Sequence, residues 1–336
     1  MNKPQQGVNL GGWLVLEKWI APSLFEGTHA TDEYTLCKEL GPVEATKRLA
    51  HHRDTFITRE HIRAIAKLGL SLVRLPVGYW LFDGPEPFVG GADQYVERLL
   101  GWARESGLKV IIDFHAAPGS QNGWDHSGRS GSVRWHEASN MAASLMFVEL
   151  ISRRYGQHPS LVGIELLNEP HWEVPLKELL VYYKSGTELV RQWCHSGVKV
   201  IVSDAFRPEQ MSKALRKARL DVILDVHLYQ LFTPEDRALD LQGHLDKVQR
   251  EWSKLLQRLT RHHHILVGEW SAAMSELYNE LGERQHNYDS EAYQTYAHVQ
   301  QRLFTHHGVS WTYWTARTED GRVWSLLDQP HLVLKR

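Results

Sequence analysis

Two glutamates follow short apolar segments at positions that suit acid/base chemistry. Glu169 lies near the end of the segment 163–170, and Glu269 follows the segment 265–268. A carboxylate directly after a buried strand needs partners or a reaction to explain its position. Hydrolysis of a glycosidic bond uses two carboxyl groups, because one protonates the leaving oxygen and the other stabilises or attacks the anomeric carbon. The pair is therefore typical of glycoside hydrolysis, with structural ion pairs at a barrel rim as the alternative interpretation.

Further polar and aromatic residues stand at the ends of other apolar segments. They are Arg74, His115, Asn168, His227, Tyr229, Trp311 and Trp314. In a barrel of parallel strands the site lies at the carboxyl ends of the strands, so these residues are expected near the two glutamates. Alternatives stay open: Arg74 could form an ion pair inside the barrel, and His115 or His227 could be satisfied core histidines. We expect Trp314 at the site and Trp311 in the core.

Eight short apolar, β-branched segments predict the strands that position these residues. They are Val8–Leu10, Ser71–Val77, Lys109–Phe114, Leu161–Leu167, Lys199–Ser203, Val222–Leu228, Ile265–Gly268 and Val309–Tyr313. Segments with helical spacing of apolar residues lie between them, at Glu60–Leu68, Tyr95–Glu105, Ala142–Tyr155, Leu176–Cys194, Glu209–Ala218, Leu245–Leu259 and Glu291–Phe304. This alternation is typical of a parallel sheet covered by helices.

The alternation predicts the α/β class, as one (β/α)8 TIM barrel domain over residues 1–336. No Pro/Gly/Ser-rich linker divides the chain, and no G-x-G-x-x-G motif opens a helix, which argues against a dinucleotide-binding fold. Two connections, 11–56 and 116–136, are too long for simple turns. Long connections at strand ends of a barrel usually carry function.

Composition excludes several classes of partner. The 38 Lys and Arg residues nearly balance the 40 Asp and Glu residues, for a formal net charge of -2. Such a chain has no basic field to collect phosphates, so nucleic acid is not an expected partner. No segment approaches the roughly 20 apolar residues of a membrane span. The 13 Trp and 12 Tyr residues suit stacking on sugar rings as well as core packing.

The cysteines and the N-terminal residues bear on the compartment. Cys37 and Cys194 are expected to be reduced thiols, and two cysteines are too few for a cysteine-rich zinc site. The first residues lack the apolar segment of a secretory signal, so the expected location is cytoplasmic, or secreted if a leader has been removed. Consecutive residues His262–His264 would point to alternate faces of a strand, so no metal is expected there.

The chain resembles the family 5 glycoside hydrolases, and within them the exo-β-1,3-glucanase branch, over nearly its whole length. The similar segments are GVNLGGWLVLE (7–17), DEYTLC (32–37), VRLPVGYW (73–80), APGSQNGWD (117–125), IELLNEP (164–170), LDVHLYQ (224–230) and GEWS (268–271). The Asn-Glu-Pro segment is common to several related hydrolases. The loop Gly119-Ser-Gln-Asn-Gly123, together with Gly11-Gly-Trp and Glu17, is far more specific.

The resemblance implies roles for the residues in these segments. Glu169 would be the proton donor, with the raised pKa that an acid role requires, and Glu269 the nucleophile. Arg74 would hold Glu269 ionised, and Asn168 would donate to the sugar 2-hydroxyl. The remaining substrate-binding residues would be His115, His227 and Tyr229 around the −1 sugar, Glu17 and Asp125 on its hydroxyls, Trp314 as a stacking platform, and Trp124 with Phe232 as an entrance clamp.

The resemblance further implies a retaining, exo-acting enzyme that hydrolyses β-1,3-linked glucose without a cofactor. Its partner would be an oligosaccharide or β-glucoside substrate, and the oligomeric state is left open. His126 and Leu228 replace residues that are usually Asn and His in this branch, and the disulfide-bearing C-terminal region of the fungal members is lacking. Alternatives therefore remain: the same mechanism on a β-1,6-glucan, a glucosylated lipid or an aryl β-glucoside, or a catalytically dead barrel that binds carbohydrate.

Overall fold

The computed structural model describes residues 3–274, 277–278, 284–285 and 289–334. Its main sheet is a closed barrel of parallel strands. The strands are β1 (Gln6–Asn9), β2 (Leu72–Gly78), β3 (Lys109–Ala116), β4 (Leu161–Glu165), β5 (Lys199–Ser203), β6 (Ile223–Leu228), β7 (His264–Trp270) and β10 (Ser310–Tyr313). Their order around the barrel is β1-β10-β7-β6-β5-β4-β3-β2. Two short strands, β8 (Leu277–Tyr278) and β9 (Arg284–Gln285), pair with each other. The predicted eight-stranded α/β barrel is confirmed.

Helices alternate with the barrel strands. They are α1 (Glu33–Thr55), α2 (Arg59–Lys67), α3 (Asp93–Ser106), α4 (Ala138–Tyr155), α5 (Leu176–Trp193), α6 (Pro208–Ala218), α7 (Pro234–Arg237), α8 (Leu241–Lys247), α9 (Ser253–Thr260) and α10 (Ser290–His306). A π-helical turn joins α8 to α9, so the predicted helix at 245–259 is a composite. No described helix has both the length and the apolar character to span a bilayer.

Helix α1 occupies much of the segment 11–56, which the sequence marks only as a long connection. Asp32 caps its start by accepting a hydrogen bond from the backbone of Thr35. Within the helix Gly41 has a φ of 71° and Pro42 follows it. These two residues interrupt helical geometry, and they explain why no continuous helical pattern marks this segment.

The barrel interior is built in layers that decide where charge is placed. An apolar layer fills the amino-terminal end, with Leu72, Ile111, Ile201, Ile223 and Leu266 in one buried cluster. Two residues further along their strands stand Arg74, Asp113 and Asp225, and Glu165 lies in register with Asp113. Since alternate residues of a strand face the same side, the next layer is polar and fully buried. The site lies directly above this charged layer.

Candidate active site

A cavity of about 950 Å³ opens at the carboxyl ends of the barrel strands. Its lining includes ten of the twelve predicted site residues, namely Glu17, His115, Trp124, Asp125, Glu169, His227, Tyr229, Phe232, Glu269 and Trp314. The other two, Arg74 and Asn168, are fully buried and contact residues of the lining from beneath. The structure therefore brings the predicted residues together around one cavity.

Glu169 and Glu269 face each other across this cavity. One carboxylate oxygen of each lies within 4.8 Å of the other and of a ring nitrogen of His227. Carboxyl groups about 5–5.5 Å apart are typical of retaining glycosidases, whereas inverting enzymes need about 6.5–9.5 Å to admit a water molecule. The short separation suits direct attack by one carboxylate on the anomeric carbon.

Two donors hold the carboxylate of Glu269. Arg74 donates from Nη1 to Oε1 at 3.1 Å, and the hydroxyl of Tyr229 donates to Oε2 at 3.0 Å. Burial raises the pKa of Tyr229 well above its usual value, and the nearby carboxylates raise it further. The phenol therefore stays protonated and remains a donor. These bonds leave Glu269 fixed in one orientation, as a nucleophile requires.

Arg74 contacts Glu269 and also belongs to a network of ion pairs inside the barrel. Its guanidinium lies 2.8 Å from Glu165 and 3.2 Å from Asp113, and all three side chains are fully buried. Burial lowers the pKa of Arg74, but the surrounding carboxylates raise it by more, so it remains charged. The same group donates from Nη2 to Oδ1 of Asn168 at 2.8 Å.

This bond orients the side-chain amide of Asn168. With Oδ1 engaged by Arg74, Nδ2 is directed toward Nε2 of His115, at 3.4 Å. The ring of His115 is fixed by Asp113, whose Oδ2 lies 2.6 Å from Nδ1, and it stacks on Trp314 with centroids 5.5 Å apart. Burial lowers the pKa of His115 well below its usual value, so this imidazole is neutral. Nδ2 of Asn168 is thus presented as a donor toward the site.

Glu169 has an unusual backbone and a short contact to His227. Its φ is +42°, in a region that few non-glycine residues adopt and that is common at functional sites. Oε1 lies 2.6 Å from Nδ1 of His227, and Oε2 lies 3.5 Å from Nε2 of His126. Burial raises the pKa of Glu169, but His227 lowers it by more, to about 2. The expectation of a raised pKa is therefore wrong for this structure.

His227 lies between acidic groups on both sides. Nε2 is 3.6 Å from Oδ2 of Asp225, and Nδ1 is also 3.5 Å from Oε2 of Glu269. Burial lowers the pKa of His227, yet these carboxylates with Glu169 raise it well above its usual value. Its contacts to both glutamates make it part of the site rather than a satisfied core histidine.

Gly268 allows this arrangement by its lack of a side chain. Its N–H donates to Oδ1 of Asp225 at 2.6 Å, and a Cβ added here would lie 1.9 Å from Oδ2. Strand β7 can therefore approach Asp225 closely only with glycine at this position. The close approach sets the position of Glu269, the next residue.

Polar groups at another part of the wall suit sugar hydroxyls. Glu17 accepts a hydrogen bond from Nε1 of Trp19 at 2.7 Å. Burial raises the pKa of Glu17 well above its usual value, and the neighbouring Asp125 raises it further. Trp19 was not predicted as a site residue, although it lies two positions beyond Glu17, the last residue of a segment that carries the resemblance.

An aromatic rim surrounds the cavity entrance, and part of it was missed from the sequence. Trp124 lies 5.6 Å from Phe206 and 6.3 Å from Trp172, measured between ring centroids, while Phe232 packs on Tyr229 at 5.3 Å. Trp172 and Phe206 line the cavity but were not predicted. Both follow carboxyl ends of strands, at positions 172 after β4 and 206 after β5, so the rule that found Glu169 would also have found them.

Two other sequence expectations concern packing. Trp311 is buried in the hydrophobic core, with its ring 5.2 Å from that of Trp270, whereas Trp314 lines the cavity. The divergence of the two tryptophans is as predicted. Leu228, which stands where the similar branch has His, is buried in the same core. Trp324, which was not predicted, also lines the cavity.

Two groups of described residues have the spacing of metal ligands. They are Glu165 with Asp225 and His227, and Glu169 with His227 and Glu269. Arg74 already pairs with Glu165 and Glu269, and Tyr229 donates to Glu269. The His262–His264 run forms neither group, and His263 instead lies 3.0 Å from Oγ of Ser212.

Comparison with known proteins gives consistent matches. The family model described as Cellulase (glycosyl hydrolase family 5) matches residues 40–320. A probable glucan 1,3-beta-glucosidase A from Aspergillus fumigatus is 34% identical, over 96% of this chain and 85% of its own. A glucan 1,3-beta-glucosidase from Yarrowia lipolytica is 34% identical, over 95% of this chain and 85% of its own.

Solved structures share the fold at lower sequence identity. A rutinosidase from Aspergillus niger has a TM-score of 0.80 and 20% identity, over 98% of both chains. Endoglucanase Cel5A from Thermotoga maritima has a TM-score of 0.58 and 17% identity, over 98% of this chain and 97% of its own. At such identities the likeness concerns the barrel and carries no information on substrate.

Proposed function

The chain belongs to glycosyl hydrolase family 5, and from this premise we propose that it releases glucose from the ends of β-1,3-glucans with retention of configuration. The observation that carries the proposal is the approach of Glu169 and Glu269 to within 4.8 Å in a cavity lined by aromatic and polar side chains. The names of the relatives that match 95–96% of the chain support β-1,3-linked glucose as the substrate.

In the first step Glu269 attacks the anomeric carbon of the sugar. The bond from this carbon to the glycosidic oxygen breaks, and that oxygen takes a proton from Glu169. Because Glu169 and His227 share a short contact of 2.6 Å, the two groups together carry one titratable proton, which Glu169 gives up in this step. The products of this step are a covalent glucosyl ester on Glu269 and a free leaving group.

In the second step water attacks the glucosyl ester. Glu169, now a carboxylate, removes a proton from the water, and the bond to Glu269 breaks to release β-glucose. The contact with His227 favours the carboxylate form of Glu169 that this step needs. Two inversions at one carbon give net retention.

The remaining residues act on orientation and on charge. Arg74 and Tyr229 stabilise the carboxylate of Glu269 as it leaves the ester. The oriented Nδ2 of Asn168 donates to the 2-hydroxyl, a hydrogen bond that strengthens in the transition state. Glu17 and Asp125 bind other hydroxyls, and Trp314 stacks on the sugar ring.

An aryl β-glucoside is a second candidate substrate. The aromatic rim favours it, because Phe232 is 62% and Trp172 51% exposed at the entrance. Large exposed aromatic rings at the mouth of a cavity suit a flat apolar group as well as the apolar face of a sugar.

Product analysis separates these candidates. Purified protein is incubated with laminari-, gentio- and cello-oligosaccharides, an aryl β-glucoside and glucosylceramide, and the released sugar is measured. We expect glucose from the β-1,3-linked series, first formed as the β-anomer. Preferred release from the gentio-oligosaccharides or glucosylceramide would reject the β-1,3 assignment, and no release from any substrate would reject hydrolysis.

We also propose a reducing compartment, such as the cytoplasm. Cys37 and Cys194 are both free thiols. Burial raises the pKa of Cys37 to about 12 and that of Cys194 to about 11, so neither thiol is readily ionised or reactive. Such thiols are usual where disulfides are kept reduced. Fractionation of the source cells, with detection by antibody, tests this location.

A further inference from the structure

His126 lies beside the carboxylate proposed as the acid/base. It belongs to the short 3-10 helix Asp125–Ser127, in the long loop that follows β3. Its Nε2 lies 3.5 Å from Oε2 of Glu169. Its ring packs between Trp124, at 5.5 Å, and His115, at 5.3 Å between centroids. The imidazole therefore stands between the aromatic rim and the reaction centre.

The two oxygens of Glu169 have different neighbours. Oε1 is held by Nδ1 of His227 at 2.6 Å, on the side of the nucleophile. Oε2 faces His126, on the loop that also carries the rim residue Trp124. A leaving group must depart toward the entrance, so Oε2 is the oxygen placed to transfer a proton to it. His126 is the imidazole on that side.

Packing alone does not account for the position of His126. The side chain is only 16% exposed, and its Nδ1 is buried without a hydrogen-bond partner among the described residues. Burial of a polar atom without a partner costs free energy, so an apolar residue would fill this space more favourably. Unlike an apolar residue, the imidazole places Nε2 beside Oε2 of Glu169.

We propose that His126 is a positioning residue for the leaving group: Nε2 donates a hydrogen bond to Oε2 of Glu169 and directs that oxygen at the glycosidic oxygen. This inference rests on the proposed function, in which Glu169 is the acid/base. Hydrogen bonds at active sites commonly tighten when substrate binds, so the present 3.5 Å is within reach of the role.

The effect of losing His126 should depend on the leaving group of the substrate. A sugar or alkyl hydroxyl is a poor leaving group and departs only with the proton from Glu169. A dinitrophenolate departs without a proton, so the orientation of Oε2 does not affect its departure. Loss of His126 therefore selectively impairs substrates whose leaving group is only weakly acidic, such as a second sugar.

The test compares His126→Ala with His126→Gln on laminaribiose and on 2,4-dinitrophenyl β-glucoside. The amide nitrogen of Gln reaches about as far as Nε2 of His and donates a hydrogen bond without titrating. For Ala we expect kcat/KM on laminaribiose to fall at least about tenfold, a modest part of the 10²–10⁴ that acid catalysis supplies. On the dinitrophenyl substrate kcat/KM of the Ala variant should change less than about twofold. The Gln variant should regain most of the kcat/KM that the Ala variant loses on laminaribiose.

Control variants and the other outcomes make the test decisive. His136→Gln lies on the same loop at an exposed position and should match the wild type on both substrates. Thermal unfolding of each variant shows that it is folded. An equal loss on both substrates, no loss, or no recovery with Gln would each overturn the proposal. Wild-type protein that is inactive on both substrates would instead reject the proposed function.

Discussion

Oε1 of Glu169 and Nδ1 of His227 lie 2.6 Å apart, the shortest contact made by either of the two carboxylates proposed as catalytic. The pKa of the carboxyl is lowered, and that of the imidazole is raised by Glu269 and Glu169 although burial lowers it. The pair therefore holds one proton over a wide range of pH, and it titrates as a unit.

This pairing predicts the pH dependence of kcat/KM on a substrate with a poor leaving group. Activity falls at high pH when the pair loses its shared proton. The raised pKa of His227 places this descending limb of the pH profile above pH 6.5. In His227→Gln the proton resides on Glu169 alone, so the limb should move to lower pH by at least about one unit. Profiles of both proteins on laminaribiose measure the shift; an unchanged limb would show that His227 does not share the proton.

Azide rescue assigns the two carboxylates separately. Glu169→Ala should lower kcat/KM on a disaccharide by about 10²–10⁴, while an activated aryl glucoside still forms the glucosyl-enzyme. Azide, which needs no general base, should then speed turnover and give β-glucosyl azide. In Glu269→Gly azide attacks the substrate from the opposite face and should give the α-azide. The anomers are distinguished by NMR, and the reverse pattern would exchange the two roles.

The rim residue Phe232 should act on binding of a second sugar. It is exposed at the entrance, so Phe232→Ala removes a stacking face with little effect on stability. We expect KM to rise more for laminaribiose than for a small aryl glucoside. Met146→Ala, at a 70% exposed position on α4, is the control for loss of an exposed apolar side chain. Equal changes of KM for both substrates would exclude an entrance clamp with Trp124.

Arg74 should be essential for stability as well as for activity. Arg74→Met leaves Asp113, Glu165 and Glu269 without their shared cation in a fully buried layer. The free energy of unfolding should fall by about 3–5 kcal/mol, because unpaired buried charges are costly. Arg59→Met breaks the half-exposed pair with Glu105 and should cost at most about 1 kcal/mol. Urea unfolding measures both; similar losses would mean that the buried network contributes little.

Chelators should leave the activity intact. Glu169, His227 and Glu269 have metal-like spacing, but the first two are paired with each other, and Arg74 and Tyr229 hold the third. The chemistry proposed above uses protons and carboxylates alone. Activity in EDTA, followed by addition of zinc or magnesium, checks this. Loss in EDTA and recovery with one of the metals would require a metal-dependent mechanism.

The sequence predicts the barrel strands and most of the site because both depend on local patterns. Buried strands of a parallel barrel are continuous apolar segments, and each ends at a known edge of the sheet. This is why Glu169, Glu269 and His227 could be placed from the positions at which their strands end. The rule extends to Trp172 and Phe206, which follow the ends of β4 and β5 and were not predicted.

Other features depend on contacts between segments that are distant in sequence. The lowered pKa of Glu169 results from a contact across 58 positions with His227, which no local pattern encodes. The approach of His126 to Glu169 depends on the path of the loop after β3. Helix α1 was not predicted because Gly41 and Pro42 interrupt its pattern, and its packing on the barrel offsets that local cost.

The aromatic rim divides into two parts that should respond differently to mutation. Trp124, Trp172 and Phe206 contact one another, so the effects of substitutions among these three will not add. Phe232 packs instead on Tyr229. In the free protein its packing is therefore separate from that of the trio. A single substitution at position 232 can therefore alter this part of the rim without disturbing the trio, whereas a change to one member of the trio also alters the packing of the other two.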